Sequence, residues 1–272
     1  GFVDVHIHAF KGMDAMQGEE AVRHMSRELK KVGVAAFLPT TMSASPEDTV
    51  KALEGIKAVM ERPEPDGAIV LGAHMEAPFL AEAKAGAQLK QYFADPNEEN
   101  WQRYTCGLES VVRLITMAPE RAGAMEFISA LTKKGITVSI GHTTADAETT
   151  HAAAEAGATH VTHTFNAQTP LNHRAPGVPG AALVDDRLQC EVISDGIHLH
   201  PDIVKLIIRT KGKEKLVAIT DAMEAAGMPD GQYQLGGQEV FVHEGAARLK
   251  DGTLAGSTLT MIRAFQNLIR FG

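Results

Sequence analysis

The chain has 272 residues, 44% of them hydrophobic, which is enough for one domain of about 250 residues or for two small domains. Its formal net charge of −8 argues against a general surface for nucleic acid or for an anionic membrane. Cys106 and Cys190 fit neither a disulfide framework nor a cysteine-rich metal site, so we expect a reducing, cytoplasmic setting. No apolar run approaches the roughly 20 residues that a membrane-spanning helix needs.

Eight apolar, strand-like runs follow one another along the chain, and helical patterns separate most of them. The runs cover residues 2–8, 34–41, 68–76, 111–119, 136–142, 159–165, 188–195 and 215–221. The helical patterns cover residues 18–32, 45–62, 119–134, 145–157 and 201–212. Alternation of this kind predicts a parallel sheet with right-handed crossovers, and eight units favour closure. We therefore expect an α/β fold, a (β/α)8 TIM-type barrel forming a single domain over residues 1–272.

Two long loops interrupt this alternation, one after the third run and one after the sixth. They span roughly residues 77–110 and 166–187. Loops of this length in a compact domain are usually either functional or disordered. Because both leave the carboxyl ends of predicted strands, we expect part of each to face a substrate.

Potential metal ligands and carboxylates stand where five of the apolar runs end. They are His6, His8, Glu76, His142, His163 and Asp221. The carboxyl ends of barrel strands meet at the active-site rim, and imidazole and carboxylate groups are ligands for divalent metals. Each histidine taken alone also fits a hydrogen-bonded core residue, and Glu76 alone fits a buried salt bridge. The six together favour a metal-dependent hydrolase.

His6 and His8 alternate on one strand and can therefore point to the same face. Asp221 fits three roles, namely a metal ligand, a general base or a partner that orients a histidine. The fourth run ends in LITMAPE and contains no lysine that could bridge two metals. Glu76 is consequently the only obvious bridging ligand.

Eight segments carry a joint pattern along the chain. They are, in order, GFVDVHIHAFKGMD, LGAHMEAPFL, TMAPE, SIGHTTA, THTFNAQTPLNHRAPG, ISDGIH, AITDAMEAAG and DGTLAGSTLTM. Together these segments resemble the N-acetylglucosamine-6-phosphate deacetylase family of the amidohydrolase superfamily. The resemblance covers nearly the whole chain. It implies a barrel of the amidohydrolase kind and a small β domain built from both termini. That domain is expected to be missing here, because the chain opens on a core strand and closes on LTMIRAFQNLIRFG, so we expect both ends to be truncated.

The resemblance also implies roles for individual residues. It places one divalent metal on Glu76, His142 and His163, and a second on His6 and His8, bridged by Glu76. It makes Asp221 the catalytic aspartate. The implied substrate-binding positions are Ala87, Gln88, Asn166, Ala167, Arg174, His198, Leu254, Ala255 and Gly256. The expected cofactor is one or two ions of zinc, iron, manganese or cobalt, the partner is a small amino-sugar phosphate, and the full-length protein is expected to be a homodimer.

Several positions depart from the family pattern and leave the sugar open. Ala77 replaces a glycine, and Gln88 stands where a substrate-contacting histidine is expected. The sequence therefore predicts hydrolysis of the acetamide of N-acetylglucosamine 6-phosphate, with the galacto epimer as an alternative. Another amidohydrolase, such as a deaminase, would release ammonia rather than acetate. A catalytically silent metal-binding barrel would bind metal without turnover.

Overall fold

The computed structural model describes all 272 residues and shows a parallel barrel of eight strands. Each strand pairs with the next one along the chain. The barrel strands are β1 (Phe2–Ile7), β2 (Val34–Thr41), β3 (Ala73–Met75), β4 (Val112–Met117), β5 (Thr137–Ile140), β6 (His160–Val161), β7 (Gln189–Ile193) and β8 (Leu216–Ile219).

The barrel closes between the ends of β8 and β1. Ile7 forms a parallel bridge with Ala222, and the N–H groups of His8 and Ala9 both donate to the Ala222 carbonyl at 3.0 Å. The (β/α)8 barrel predicted from the alternation of strands and helices is thereby confirmed.

Eight helices accompany the strands. They are α1 (Glu19–Lys31), α2 (Pro46–Glu61), α3 (Glu98–Thr105), α4 (Ala124–Lys133), α5 (Ala147–Ala156), α6 (Gly177–Val184), α7 (Pro201–Lys215) and α8 (Met261–Phe271). The start of α2 shows why these segments are helical, since the Ser45 hydroxyl accepts from the Asp48 N–H and Pro46 occupies the first turn. None of the helices combines the length and the apolar character needed to span a membrane.

All the barrel strands except β2 are shorter than the sequence predicted, and two of them are much shorter. The predicted run 68–76 is split, because Ile69–Val70 pairs only with β2 before β3 begins at Ala73. The predicted run 159–165 is regular only in β6, because the backbone turns to positive φ at His163 and Phe165. This turn leads the chain out of the sheet at the barrel mouth.

A three-stranded antiparallel sheet, absent from the sequence prediction, follows β8. Its strands are β9 (Gly231–Leu235), β10 (Gln238–His243) and β11 (Ala246–Arg248). Gly236 and Gly237 form the two-residue turn between β9 and β10 with φ values of 54° and 79°, as a hairpin turn with two left-handed residues requires. The buried face of the sheet packs with Met42 and Met223, so the sheet covers one side of the barrel mouth.

Shorter elements complete the connections. The residue pairs Ala9–Phe10 and Met13–Asp14 form a small hairpin, and the predicted loops contain α3 and α6. Single 3-10 turns occur at Ala15–Gln17, Glu82–Lys84, Lys90–Tyr92 and Glu109–Val111. The main core lies between the strands and the helices, where Trp101 and Phe79 pack edge-on against Phe127.

Candidate active site

The six strand-end residues predicted as metal-site residues meet at the mouth of the barrel. Five of them line one cavity of about 290 Å³, and His6 lies fully buried beneath them. The cavity also contains most of the predicted substrate-binding positions. The residues that were predicted from the sequence and that line this cavity are His8, Glu76, Ala87, Gln88, His142, His163, Asn166, Ala167, His198, Asp221, Leu254 and Gly256.

Glu76, His142 and His163 form the first group of candidate ligands. The Nε2 atoms of His142 and His163 lie 3.2 and 3.0 Å from Oε1 of Glu76, and 3.1 Å from each other. All three side chains are buried, and their ligand atoms lie within 4.8 Å of one another. Two imidazole nitrogens and one carboxylate oxygen converging in this way suit a divalent cation.

His6, His8 and Asp221 form the second group. Oδ1 of Asp221 lies 3.5 Å from Nε2 of His6 and 3.2 Å from Nε2 of His8. Glu76 touches this group as well, with Oε1 at 3.4 Å from His6 Nε2 and Oε2 at 3.1 Å from His8 Nε2. The structure thus brings Glu76 between the two groups.

Hydrogen bonds at Nδ1 orient three of the histidines so that Nε2 faces the carboxylates of the site. Nδ1 of His8 faces the Thr40 carbonyl at 3.2 Å, Nδ1 of His142 faces the Lys84 carbonyl at 2.8 Å, and Nδ1 of His6 faces Oε2 of Glu191 at 3.0 Å. Because each acceptor takes a proton from Nδ1, each Nε2 would present its lone pair to a divalent cation once the cation displaces the proton that Nε2 shares with the carboxylates. The donor set of the site therefore fits bound divalent cations.

Electrostatics keep both carboxylates of the site ionised. Burial acts to raise the pKa of Glu76, but His6 together with hydrogen bonds from His142 and His163 outweighs it and holds the pKa well below its usual range. Burial likewise acts to raise the pKa of Asp221, and His6 and His8 outweigh it and lower the pKa. Asp221 is therefore in the form that can accept a proton at neutral pH.

Two polar cavity residues that belong to neither metal group are held in place by hydrogen bonds. Gln88 donates from Nε2 to Oε2 of Glu76 at 2.6 Å, and its Oε1 accepts from the Ser43 N–H at 2.7 Å. Nδ1 of His198 lies 2.7 Å from Oδ2 of Asp195. Burial acts to lower the pKa of His198, but the Asp195 carboxylate outweighs it and raises that pKa, which favours a cationic ring facing the cavity.

Two predicted substrate-binding residues lie outside the cavity lining. Ala255 is fully buried in the core under the three-stranded sheet. Arg174 lies on the exposed segment 171–176 and lines a different hollow, beside Asp146 at the start of α5. The structure thus does not bring Arg174 together with the other predicted phosphate-binding residues.

Several residues near the site were missed in the sequence. Met42 and Leu235 line the cavity without any motif that could have revealed them. Glu191 had a signal, because it is an acid inside the apolar run LQCEVISD, and it contacts His6. His74 also had one, since it lies two residues before Glu76, and its ring packs edge-on against His6 with centroids 4.5 Å apart.

Known proteins resemble the chain over its full length. A family model described as the amidohydrolase family matches residues 1–263. The N-acetylglucosamine-6-phosphate deacetylase of Bacillus subtilis is 39% identical over 274 residues, covering 100% of this chain and 69% of that protein. The chain belongs to the N-acetylglucosamine-6-phosphate deacetylase family. Its members are amidohydrolases, so the chain is a hydrolase.

Two further similar proteins have names that include a substrate. The N-acetylgalactosamine-6-phosphate deacetylase of Escherichia coli O157:H7 is 37% identical over 273 residues, covering 98% of this chain and 71% of that protein. An aspartate-to-alanine variant of the Mycobacterium smegmatis N-acetyl-D-glucosamine-6-phosphate deacetylase was solved with N-acetyl-D-glucosamine-6-phosphate. That structure has a TM-score of 0.89 and 36% identity to this chain, and the match covers 98% of this chain and 69% of that one. The deacetylase resemblance predicted from the motifs is confirmed.

Proposed function

We propose that this protein hydrolyses the acetamide of N-acetylglucosamine 6-phosphate to glucosamine 6-phosphate and acetate. The observation that carries the proposal is the position of Glu76, which contacts His142 and His163 on one side and His6 and His8 on the other, at the floor of a cavity. This arrangement occurs in a chain whose relatives are named as deacetylases of this substrate.

The two groups of side chains are proposed to hold divalent cations. Glu76, His142 and His163 would hold one ion, and His6, His8 and Asp221 would hold a second one next to Glu76. Zinc, iron, manganese and cobalt all accept imidazole and carboxylate ligands. A cation bound there would supply Lewis-acid polarisation of the acetamide carbonyl and would lower the pKa of a bound water from about 15.7 toward about 7.

Asp221 is proposed to move the proton of the attacking water. Its ionised carboxylate accepts that proton while the water oxygen forms a bond to the acetamide carbon. It then returns the proton to the sugar nitrogen as the C–N bond breaks, because an unprotonated amine is a poor leaving group. Acetic acid and the free amine are formed first, and the acid then gives its proton to the amine, so the products at neutral pH are acetate and the ammonium form of the amino sugar, and atoms and protons balance.

The cavity residues are proposed to position the sugar and its phosphate. His198, whose pKa Asp195 raises against the effect of burial, supplies a ring suited to a phosphate group, and Asn166 supplies a hydrogen-bonding side chain. Gln88, anchored between Glu76 and Ser43, would face the acetamido end of the sugar. Arg174 stays a predicted phosphate ligand, although it lies on an exposed segment outside the cavity lining.

An acetate-release assay on a small panel of sugars tests the proposal. The panel contains N-acetylglucosamine 6-phosphate, its galacto epimer, unphosphorylated N-acetylglucosamine and a buffer control, with ammonia measured in parallel. We expect the highest kcat/KM for the gluco phosphate, a large loss without the phosphate, and no ammonia. Faster turnover of the galacto epimer would redirect the substrate assignment, and bound metal without acetate from any sugar would reject the proposed activity. A homodimer of the full-length protein and a cytoplasmic location stay predictions.

A further inference from the structure

Glu191 is a buried carboxylate that touches both groups of candidate metal ligands without belonging to either. It lies in the middle of β7 with no exposed surface. Its Oε2 lies 3.0 Å from Nδ1 of His6 and accepts the backbone N–H of His163 at 3.1 Å. Its Oε1 is buried and has no hydrogen-bond partner.

His6 differs from the other site histidines in the partner of its Nδ1 atom. Backbone carbonyls of Thr40 and Lys84 face the Nδ1 atoms of His8 and His142, whereas a carboxylate faces that of His6. A carboxylate partner fixes the tautomer and the ring orientation and makes the opposite nitrogen a stronger donor to a cation. This effect is directed at Nε2 of His6, which faces Asp221 and His8.

The acidic side chains around the site also indicate that Glu191 acts on His6. Glu76, Asp221 and Glu191 are three buried carboxylates, and all of their ion pairs are with histidines rather than with lysine or arginine. A buried carboxylate is costly unless a positive charge compensates it. Two of these groups, Glu191 and Asp221, flank the ring of His6.

We propose that Glu191 is a positioning residue for a second divalent cation at His6, His8 and Asp221. Its carboxylate orients His6 through Nδ1 and supplies negative charge behind the ring, while Glu76, His142 and His163 hold the first cation without this help. The inference rests on the proposed metal-dependent function, but it concerns occupancy of one position rather than turnover.

Glu191→Gln separates charge from shape. Both hydrogen bonds of Glu191 end on Oε2, so a glutamine whose oxygen occupies that place can keep both. Its amide nitrogen would then occupy the place of Oε1, which has no hydrogen-bond partner in the wild type, so no wild-type contact is lost. Glu191→Met fills a similar volume with neither charge nor acceptor and gives a second, more severe variant.

Asp4→Asn is the matched control. Asp4 is also a fully buried carboxylate next to His6, but it accepts from the His6 backbone N–H and from Thr220 rather than from an imidazole ring. Its substitution therefore changes a buried acid in the same region without touching Nδ1 of His6.

The experiment titrates Co²⁺ into metal-free full-length protein and follows the visible absorption together with metal content. The wild type should bind two ions per chain. In Glu191→Gln the first should bind normally and the second about 10- to 100-fold more weakly, with a larger loss in Glu191→Met. In Asp4→Asn both affinities should stay at the wild-type values, even if the melting temperature falls.

Three results would overturn the inference. They are equal weakening of both ions in Glu191→Gln, unchanged affinity of both ions in both Glu191 variants, and wild-type protein that binds only one ion. The last result would leave the deacetylase proposal intact, since acetate release is measured separately. Two ions that respond as expected in a protein that releases no acetate would reject the deacetylase and retain the role of Glu191.

Discussion

Asp221→Asn is the most informative test of the proposed chemistry. The substitution keeps the size of the side chain, and its amide oxygen can occupy the place of Oδ1, near Nε2 of His6 and of His8. It removes the negative charge and the ability to accept a proton. The substitution leaves the first group of candidate ligands unchanged, namely Glu76, His142 and His163, so at least one cation should remain bound.

The expected size of the effect follows from this geometry. Because substrate contacts and the first cation are preserved, KM should change little, and the loss should appear in kcat. Removal of a positioned acid–base group lowers kcat by about 10²–10⁴. That range corresponds to roughly 3–5 kcal/mol of activation free energy.

Acetate release and metal content, measured on the same samples, separate the possible roles of Asp221. If Asp221 is the general base, metal-replete buffer should return the metal content of the variant to the wild-type value. The kcat should nevertheless stay low. A residue that acts mainly as a ligand gives activity that recovers with added metal. Wild-type kcat with metal retained would refute both roles, and the proton transfer would then have to involve another cavity residue.

Three further predictions concern the second cation and the phosphate. The double variant His6→Ala, His8→Ala should lower metal content from near two ions to near one per chain, whereas an unchanged content near one would reject the second position. His198→Ala should lower kcat/KM for the phosphorylated sugar by an amount that corresponds to at least about 2 kcal/mol. Arg174→Ala should lower it less, because Arg174 is exposed and lies outside the cavity. A larger loss in Arg174→Ala than in His198→Ala would assign the phosphate to Arg174. The KM for the phosphorylated sugar should rise as pH rises through the raised pKa of His198, because the ring then loses its charge; Asp195→Asn should move this rise to lower pH, and the unphosphorylated sugar should not show it.

The sequence predicted the barrel and its mouth well because both depend on local patterns. β2 has the predicted bounds, 34–41, because a continuous apolar run is unambiguous when both faces of a strand are buried. The six polar strand-end residues were identifiable for the same reason, since an apolar run makes a terminal histidine or acid conspicuous. Their convergence follows from barrel topology alone.

Long-range placement could not be predicted in the same way. The sequence assigns Arg174 a phosphate-binding role by resemblance, but where a loop residue lies depends on packing that no local pattern encodes. The three-stranded sheet was missed although the Gly236-Gly237 pair between alternating runs is a hairpin signal. Glu191 was missed because it lies in the middle of its strand, whereas the site residues were recognised by their position at strand ends.

Three site residues at the barrel mouth have backbone conformations that are costly for any residue other than glycine. His142, His163 and Asp221 have φ values of 46°, 27° and 50°, in the left-handed region that glycine adopts without strain. A non-glycine residue held there costs on the order of 1–3 kcal/mol, and surrounding bonds must hold it.

Asp221 shows how these bonds act. Its N–H donates to the His6 carbonyl at 2.9 Å, and its carbonyl accepts from the Ser257 N–H at 2.7 Å, so the turn is fixed on both sides. Glycine at this position would relieve the strain but would remove the carboxylate that faces His6 and His8. The same turn that ends the strand therefore aims the side chain into the cavity, and the stability lost at this residue is explained by the chemistry proposed for it.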